Sequence, residues 1–235
     1  MLQIAPNIWS FTGLMVGRVY LIADPDGLTL VDTSIPPSGT KILNQLKASG
    51  HRPSAVKRIL ITHAHPDHVG SLHQLQAATG AQVLASAAEQ QVIEGKIPIP
   101  RIVDRSTLTG INRLIRLPET WVKPPVSVTR VLADGDVIAE VMGGLTVVAT
   151  PGHAPGHIAF WQPEKRILIC GDVIFHLRGM TLPAGFLTVD MAENKRSIAK
   201  IAKLEADTVC FGHGQPVVGA AAEQIKAFAR RVGAL

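Results

Sequence analysis

The feature that most constrains this chain is a cluster of polar side chains at the end of a short apolar run. Residues 59–72 have the sequence ILITHAHPDHVGSL, and their apolar part predicts a buried strand that ends shortly before a helix. Four potential metal ligands fall within six residues: His63, His65, Asp67 and His68. Residues two apart in an extended segment face the same side, so His63 and His65 can share one metal ion. The proline that follows them fits a helix start, which turns Asp67 and His68 towards a second ion.

Three further ligand-type residues lie where an apolar run ends in a glycine-rich turn. They are His153 in TPGHAPGH, Asp172 in CGD and His213 in FGHGQP. A glycine beside a ligand lets the backbone pass close to a metal ion. The alternative interpretation, a set of incidental polar loop residues, is disfavoured by this density of ligand types around strand ends.

The composition favours a folded globular protein with a small-molecule substrate. The 235 residues are 46% hydrophobic and 17% charged, which is typical of a chain with a substantial core. That length suits one large domain or two small ones. The net charge of +5 is compatible with an anionic substrate, but only 4% of the residues are aromatic. Stacking surfaces for single-stranded nucleic acid are therefore scarce, and we expect no nucleic-acid partner.

No segment predicts export or insertion into a membrane. The first residues, MLQIAPNIWSF, lack the basic start and apolar core of a secretion signal, and no apolar run approaches the length of about 18 residues that spans a bilayer. Cys170 and Cys210 each end an apolar run, where buried free thiols are expected. We predict a cytoplasmic protein. A homodimer is compatible with the sequence, although nothing in it requires one.

The predicted elements are strands followed by helices, in two halves. They include a β-hairpin at 18–24 and 28–32, helices at 37–49, 69–79 and 224–232, and, in the second half, strands at 128–132 and 137–142. Two more helices should begin at a capping box, Ser86–Glu89 and Asp190–Glu193. Residues 95–126 are irregular and rich in proline and basic side chains. We predict a pocket wall or lid there; an oligomer contact or a surface excursion is an alternative with at least equal support.

Together these motifs resemble the metallo-β-lactamase superfamily, from about residue 8 to the last helix. HAHPDH matches its HxHxDH signature, and a single His, Asp and His follow in the family's order. The resemblance implies an α+β fold, a four-layer αββα sandwich of two mixed sheets flanked by helices, with residues 1–235 as a single domain. It also implies a two-metal ligand set: His63, His65 and His153 for one ion, Asp67, His68 and His213 for the other, and Asp172 as the bridge. Such imidazole and carboxylate ligands suit two zinc ions, with iron or manganese as alternatives.

A two-metal site implies hydrolysis. Metals about 3.5–4 Å apart share a water and lower its pKa to about 7, so the hydroxide needs no side-chain nucleophile. Asp67 is a candidate to take the released proton. His176 is a candidate to assist the leaving group, although an ordinary loop histidine is the simpler interpretation. We expect His157 to support the site. Asp32 either holds a ligand histidine or caps a turn.

Differences from well-known members of the superfamily narrow the range of expected substrates. Asp172 at the bridging position resembles glyoxalase II and lactonase-type hydrolases rather than zinc β-lactamases. Only 22 residues follow His213, whereas glyoxalase II adds a helical domain that binds glutathione. Homoserine-lactone lactonases place a tyrosine between the bridging Asp and the last His, and this chain has none there. The sequence predicts a zinc hydrolase of a small ester, lactone or thioester. A mononuclear iron persulfide dioxygenase-like oxidoreductase and a phosphodiesterase or nuclease of the same fold are the alternatives.

Overall fold

The strands form two mixed sheets. A computed structural model of the protein describes residues 1–102 and 105–235. The first sheet has the strand order β1 to β7: β1 (Leu2–Ala5), β2 (Ile8–Ser10), β3 (Tyr20–Asp24), β4 (Gly27–Val31), β5 (Val56–Leu60), β6 (Gln82–Ser86) and β7 (Arg130–Leu132). Neighbours from β1 to β4 are antiparallel, and neighbours from β4 to β7 are parallel.

The second sheet is built by the later part of the chain. Its strands are β8 (Val137–Ile138), β9 (Leu145–Ala149), β10 (Ile158–Gln162), β11 (Ile167–Gly171), β14 (Thr208–Phe211) and β15 (Val217–Val218), in the order β15-β14-β11-β10-β9-β8. The pair β11 and β14 is parallel, and the other neighbours are antiparallel. A small hairpin, β12 (Phe175–His176) and β13 (Met180–Thr181), follows β11.

The helices cover the outer faces of the sheets. They are α1 (Ser38–Ala48), α2 (Pro66–Val69), α3 (Leu72–Thr79), α4 (Ala87–Ile93), α5 (Met191–Ala202) and α6 (Ala221–Arg231), with 3₁₀ turns at Pro53–Ala55, Arg105–Thr107, Gly110–Arg113 and Gly185–Leu187. In α1, Ile42 and Leu46 lie one helical turn apart and are both fully buried. The helix stops at Gly50, whose φ of +81° suits a residue without a side chain.

Three apolar clusters define the layers. Alternate residues of β3 face opposite sides: Leu21 packs with Ile42 and Leu72 of the helices, whereas Tyr20 packs with Phe160 and Cys210 of the second sheet. A third cluster joins the second sheet to α5 and α6. The order is therefore helices, sheet, sheet and helices, which confirms the predicted α+β, αββα sandwich.

Most predicted elements form, and the exceptions have local causes. The hairpin and the helix at 37–49 are confirmed. The continuous helix at 69–79 is wrong, because the chain breaks between α2 and α3, where the Ser71 hydroxyl donates to the Ile35 carbonyl at 2.6 Å. The strand at 128–132 belongs to the first sheet as β7. The strand at 137–142 is shorter than predicted, because the chain turns after Ile138, whose carbonyl accepts from the Val141 N–H at 3.1 Å.

Some predictions stay predictions. Residues 95–126 form only 3₁₀ turns and irregular backbone where the structure describes them, and positions 103–104 of that insertion lie outside the described residues. The single domain of residues 1–235, the cytoplasmic location and the possible homodimer stay predictions. Among the helices that the structure describes, none has the length and apolar character needed to cross a membrane.

Candidate metal centre

The predicted ligands collect at one edge of the sandwich because strand directions agree. His63 follows the carboxyl end of β5, His153 follows β9, Asp172 follows β11 and His213 follows β14. Within the second sheet, β11 and β14 are parallel, and β9 runs the same way because β10 is antiparallel to both β9 and β11. The carboxyl ends of β9, β11 and β14 therefore meet, and the loop after β5 joins them from the first sheet.

The structure brings the seven predicted ligands together in three overlapping groups. Within each group the ligand atoms lie within 4.8 Å of one another: His63, His65 and His153; His63, His68 and Asp172; and Asp67, His68 and His213. The first and third groups have the same membership as the two metal sites that the family resemblance implies. The second group includes residues from both sides together with Asp172, the predicted bridge.

The Asp172 carboxylate lies at the centre of the histidines. Its Oδ2 is 3.4 Å from Nε2 of His153, 3.2 Å from Nε2 of His213 and 3.8 Å from Nε2 of His63. Its Oδ1 is 3.4 Å from Nε2 of His68. Oδ2 thus faces imidazoles of both predicted sites and Oδ1 faces that of His68, so the carboxylate lies between the two groups of ligands.

Hydrogen bonds fix which ring nitrogen two of the histidines present. The hydroxyl of Thr62 donates its only proton to Asp32 Oδ2 at 2.8 Å, so it accepts from Nδ1–H of His63 at 3.1 Å. Nδ1–H of His68 donates to Asp32 Oδ2 at 2.8 Å. Both rings therefore keep Nε2 for the centre of the cluster. Of the two roles predicted for Asp32, the structure shows it holding a ligand-loop histidine.

His153 is oriented in the same manner from another segment. The Thr188 hydroxyl donates to the Ala184 carbonyl at 3.0 Å and accepts from Nδ1–H of His153 at 3.2 Å. Nε2 of His153 then lies 3.0 Å from Nδ1 of His65. Nε2 of His153 is an acceptor because its Nδ1 carries the proton, so either Nδ1–H of His65 donates to it or a cation lies between the two nitrogens.

Unpartnered atoms show that this donor set fits a metal ion. Nε2 of His63, His65 and His68 and Oδ1 of Asp172 are buried and have no hydrogen-bond partner among the described residues. A buried unsatisfied polar atom costs about 1–3 kcal/mol, so the unpartnered atoms of His63, His68 and Asp172, which belong to one ligand group, call for a ligand. The backbone leaves room for it: a Cβ at Gly212 would lie 1.9 Å from Asp172 Oδ1.

The electrostatics favour a bound cation. Burial lowers the pKa of His63 and His65, which keeps these rings neutral. Burial alone raises the pKa of Asp172, but the histidines around it, His68 first, hold that pKa well below its usual range. Burial alone lowers the pKa of His213, but hydrogen bonds to Asp172 and Asp67 raise it to about 9. A cation bound between these groups would take the place of the His213 proton.

The pattern of ligand loops matches a known family. The family model for the metallo-beta-lactamase superfamily matches residues 12–213. The chain belongs to this superfamily. Among its relatives, a probable metallo-hydrolase, YflN of Bacillus subtilis, is 27% identical over 222 residues, which are 88% of this chain and 83% of the relative.

Other relatives and solved structures are similar over different lengths. A hydroxyacylglutathione hydrolase of Ectopseudomonas mendocina is 36% identical over 160 residues, which are 67% of this chain but only 47% of that enzyme. This chain therefore aligns with about half of that relative. Among solved structures, a superfamily protein of Thermus thermophilus has a TM-score of 0.74 at 23% identity, with 99% of this chain and 81% of that chain covered. A likeness at that identity shows the fold alone.

The other two candidate histidines, His157 and His176, have defined places. His157 is buried and its Nε2 accepts from the Asp172 backbone N–H at 3.0 Å, so its Nδ1–H donates to the Thr150 hydroxyl at 2.8 Å. Burial lowers the pKa of His157 to about 3 and keeps it neutral. His176 is not part of the three ligand groups; its Nδ1–H donates to the Gln215 carbonyl at 2.7 Å, and its ring packs 5.2 Å from that of Phe211.

Sequence reasoning missed the two threonines that orient ligand histidines. Thr62 directly precedes the HAHPDH motif and could have been suspected from its position alone. Thr188 is 35 residues from His153, and no local pattern pointed to it.

Proposed function

We propose that this protein is a metal-dependent hydrolase with two zinc ions, and that it cleaves a small ester, lactone or thioester. The observation that carries the proposal is the convergence of unpartnered Nε2 atoms and Asp172 Oδ1 on one buried cluster. The names of the relatives, metallo-hydrolase and hydroxyacylglutathione hydrolase, support the same chemistry. We assign His63, His65 and His153 to one ion, Asp67, His68 and His213 to the other, and Asp172 to both. Two such ions supply an activated water and a Lewis acid for the carbonyl oxygen of the substrate.

Two side chains at the rim are proposed to move protons. Asp67 would accept the proton released during hydrolysis, because its side chain is 25% exposed, whereas that of Asp172 is 3% exposed. His176 would donate a proton to the leaving group through Nε2 as the imidazolium, because its Nδ1–H is already bonded to the Gln215 carbonyl and only the doubly protonated ring carries a proton at Nε2. The backbone N–H of His176 donates to the His213 carbonyl at 2.9 Å, which holds the ring next to the ligand loop.

A groove beside His213 is the proposed substrate site. It has a volume of about 330 Å³ and is lined by Leu14, Met15, Val16, Gly17, Arg18, Leu177, Gly212, His213 and Gly214. Met15 and Leu177 are 84% and 67% exposed, so apolar surface faces the solvent there. We propose that this surface receives the apolar part of the substrate and that the Arg18 guanidinium binds an anionic part.

The insertion at 95–126 is proposed to wall the other side of the site. Leu108, Thr109 and Asn112 line a cavity of about 270 Å³ together with Leu182 and Gly185. The segment that contains Leu182 and Gly185 continues to Thr188, which orients His153. The insertion thus lies next to the segment that orients a proposed metal ligand, as the wall of the substrate pocket would.

The test is elemental analysis of protein purified without added metal, followed by hydrolysis assays. We expect two zinc ions per chain and turnover of lactones, esters or thioesters that a chelator abolishes. Asp172→Ala should lose most of the metal and nearly all activity, because two cations would lose their shared carboxylate. One iron per chain with oxygen consumption would contradict the proposal, as would cleavage of bis-(p-nitrophenyl) phosphate that outpaces ester cleavage.

A further inference from the structure

Glu89 is a buried carboxylate outside the predicted ligand set. It lies in the first turn of α4, and only 2% of its surface is exposed. Each carboxylate oxygen has a backbone partner: Oε2 accepts from the Ala64 N–H at 2.7 Å, and Oε1 accepts from the Gly156 N–H at 2.8 Å. Charge-assisted hydrogen bonds of this kind compensate the burial of a carboxylate, which is otherwise very unfavourable.

The direction of the Glu89 side chain differs from the sequence prediction. In a capping box, the serine hydroxyl accepts from the backbone of the glutamate, and the glutamate side chain reaches back to the backbone of the serine. Ser86 does accept from the Glu89 N–H, at 3.4 Å. The Glu89 carboxylate instead binds two amides that belong to other segments of the chain.

Those two amides come from the loops that carry one complete ligand group. Ala64 lies between His63 and His65 in the sequence, and Gly156 belongs to the loop between β9 and β10 that carries His153. A single side chain therefore joins the two segments that supply the group His63, His65 and His153. The third ligand group contains Asp67, His68 and His213. Among the described residues, Glu89 makes no contact with the loop that carries His213.

The second loop is pressed against the start of α4. The Ser86 hydroxyl donates to the Gly156 carbonyl at 2.6 Å, next to the amide that Glu89 holds. A Cβ at Gly156 would lie 2.5 Å from Ser86 Oγ, 2.7 Å from Ala88 Cβ and 2.8 Å from Glu89 Oε1. This close approach excludes a side chain at Gly156, so Ser86 and Glu89 hold the peptide directly.

We propose that Glu89 is a positioning residue that sets the distance between the His63–His65 segment and the His153 loop, and thereby the metal affinity of that group. The inference rests on the proposed two-zinc function. Glu89 does not reach the metal itself. It acts through two backbone amides, so its loss should weaken one ion selectively and leave the other bound.

The test compares zinc affinities of the purified full chain by competition with a chromophoric chelator. Glu89→Gln keeps the shape of the side chain but offers an NH₂ group to one of two N–H donors, so one of the two bonds is lost. We expect one of the two zinc ions to bind about 10–100-fold more weakly, the range typical of residues that support metal ligands, and the other to be unchanged. A purely structural role would lower the unfolding temperature without separating the two affinities.

Glu94→Gln is the matched control. Glu94 directly follows the same helix, and its Oε1 accepts from the Val128 N–H at 3.1 Å, away from the ligand loops. This variant should bind both ions as the natural protein does. Ser86→Ala is the second test variant, because it loses the bond to the Gly156 carbonyl without leaving a mismatched amide in the interior; it should weaken the same ion as Glu89→Gln.

The outcomes separate the two proposals. If the natural protein binds no metal, the proposed function fails. If it binds two zinc ions and neither Glu89→Gln nor Ser86→Ala weakens one of them selectively, the positioning role is wrong while the function stands. Should Glu89→Gln fail to fold, the Ser86→Ala affinities decide between these results.

Discussion

Asp32 Oδ2 lies 2.8 Å from Nδ1 of His68, and the two side chains are only 4% and 0% exposed. Asp32 Oδ1 also accepts from the Thr62 N–H at 2.9 Å. One carboxylate therefore links the end of β4 to both sides of the HAHPDH loop. Asp32 has a φ of +60°, a conformation that aspartate and asparagine tolerate better than most residues.

Asp32→Asn should weaken metal binding at the group that contains His68. The amide tolerates the same backbone conformation, but it has a single acceptor oxygen for Thr62 and His68, so His68 loses part of its orientation. We expect zinc affinity at one site to fall about 10–100-fold, measured by chelator competition. Asp24→Asn is the control, because Asp24 Oδ1 also accepts a backbone N–H, from Met142 at 2.9 Å. Equal affinities in Asp32→Asn and the natural protein would contradict this role.

His176→Ala should retain both metal ions and lose turnover. Its ring is outside the three ligand groups, while its backbone is tied to His213, so the side chain can act on the substrate without holding metal. General acid catalysis typically contributes about 100-fold or more, and we expect kcat to fall by about that factor with KM little changed. Steady-state kinetics together with metal analysis test this. Unchanged kinetics would leave His176 with only its structural contacts to Gln215 and Phe211.

Arg18→Ala should discriminate between anionic and neutral substrates. Arg18 is one of the residues that line the groove beside His213, and a hydrogen bond to a charged group contributes about 1.5–3 kcal/mol. We expect kcat/KM for an ester that carries a carboxylate to fall about 10–100-fold, with a smaller change for its neutral analogue, in assays run side by side. Arg52→Ala, an exposed residue before β5, is the control. Equal losses for both esters would argue that Arg18 does not bind the anionic part.

The ligand set was predictable because its signals are local. Each of the seven residues follows an apolar run that forms a strand or lies in the HAHPDH motif, and glycine-rich turns mark His153, Asp172 and His213. The layered fold was predicted from the family resemblance that these motifs carry, and it agrees with the order of strands followed by helices in two halves. The order of the elements and the spacing of the ligands depend on residues that are close together in the chain, so both can be predicted from the sequence.

The supports of the site were not predictable because they join distant segments. The bond between Glu89 and Gly156 spans 67 positions, and that between Thr188 and His153 spans 35. Glu89 also fitted a capping box, so the local rule gave it a different partner. The break between α2 and α3 has the same origin. The helical pattern of the sequence continues through Ser71, but the hydrogen bond from Ser71 to the distant Ile35 carbonyl accompanies a break in the helix there. Which distant loop a polar side chain binds depends on how the whole chain packs, and the sequence does not display that.

Asp26→Asn should reduce stability in a manner that depends on pH. Arg58 is 6% exposed, and its Nη1 and Nη2 donate to the two Asp26 oxygens at 2.7 and 2.8 Å. The hydrogen bond from Arg58 lowers the pKa of Asp26 below its usual 3.8. A lowered pKa in the folded state means that the pair stabilises the fold above the unfolded pKa and loses this contribution as the pH falls through the folded value.

The difference between the natural protein and Asp26→Asn should therefore be largest near neutral pH and vanish in acid. The Asp26 side chain is 50% exposed, so solvent screens the pair, and we expect about 1 kcal/mol at pH 7. Urea unfolding of the metal-free chain at several pH values measures this without a contribution from metal release. Asp207→Asn, which breaks the exposed pair with Arg166, should change stability less. A difference that persists undiminished below the lowered pKa of Asp26 would mean that the aspartate stabilises the hairpin turn by something other than its charge.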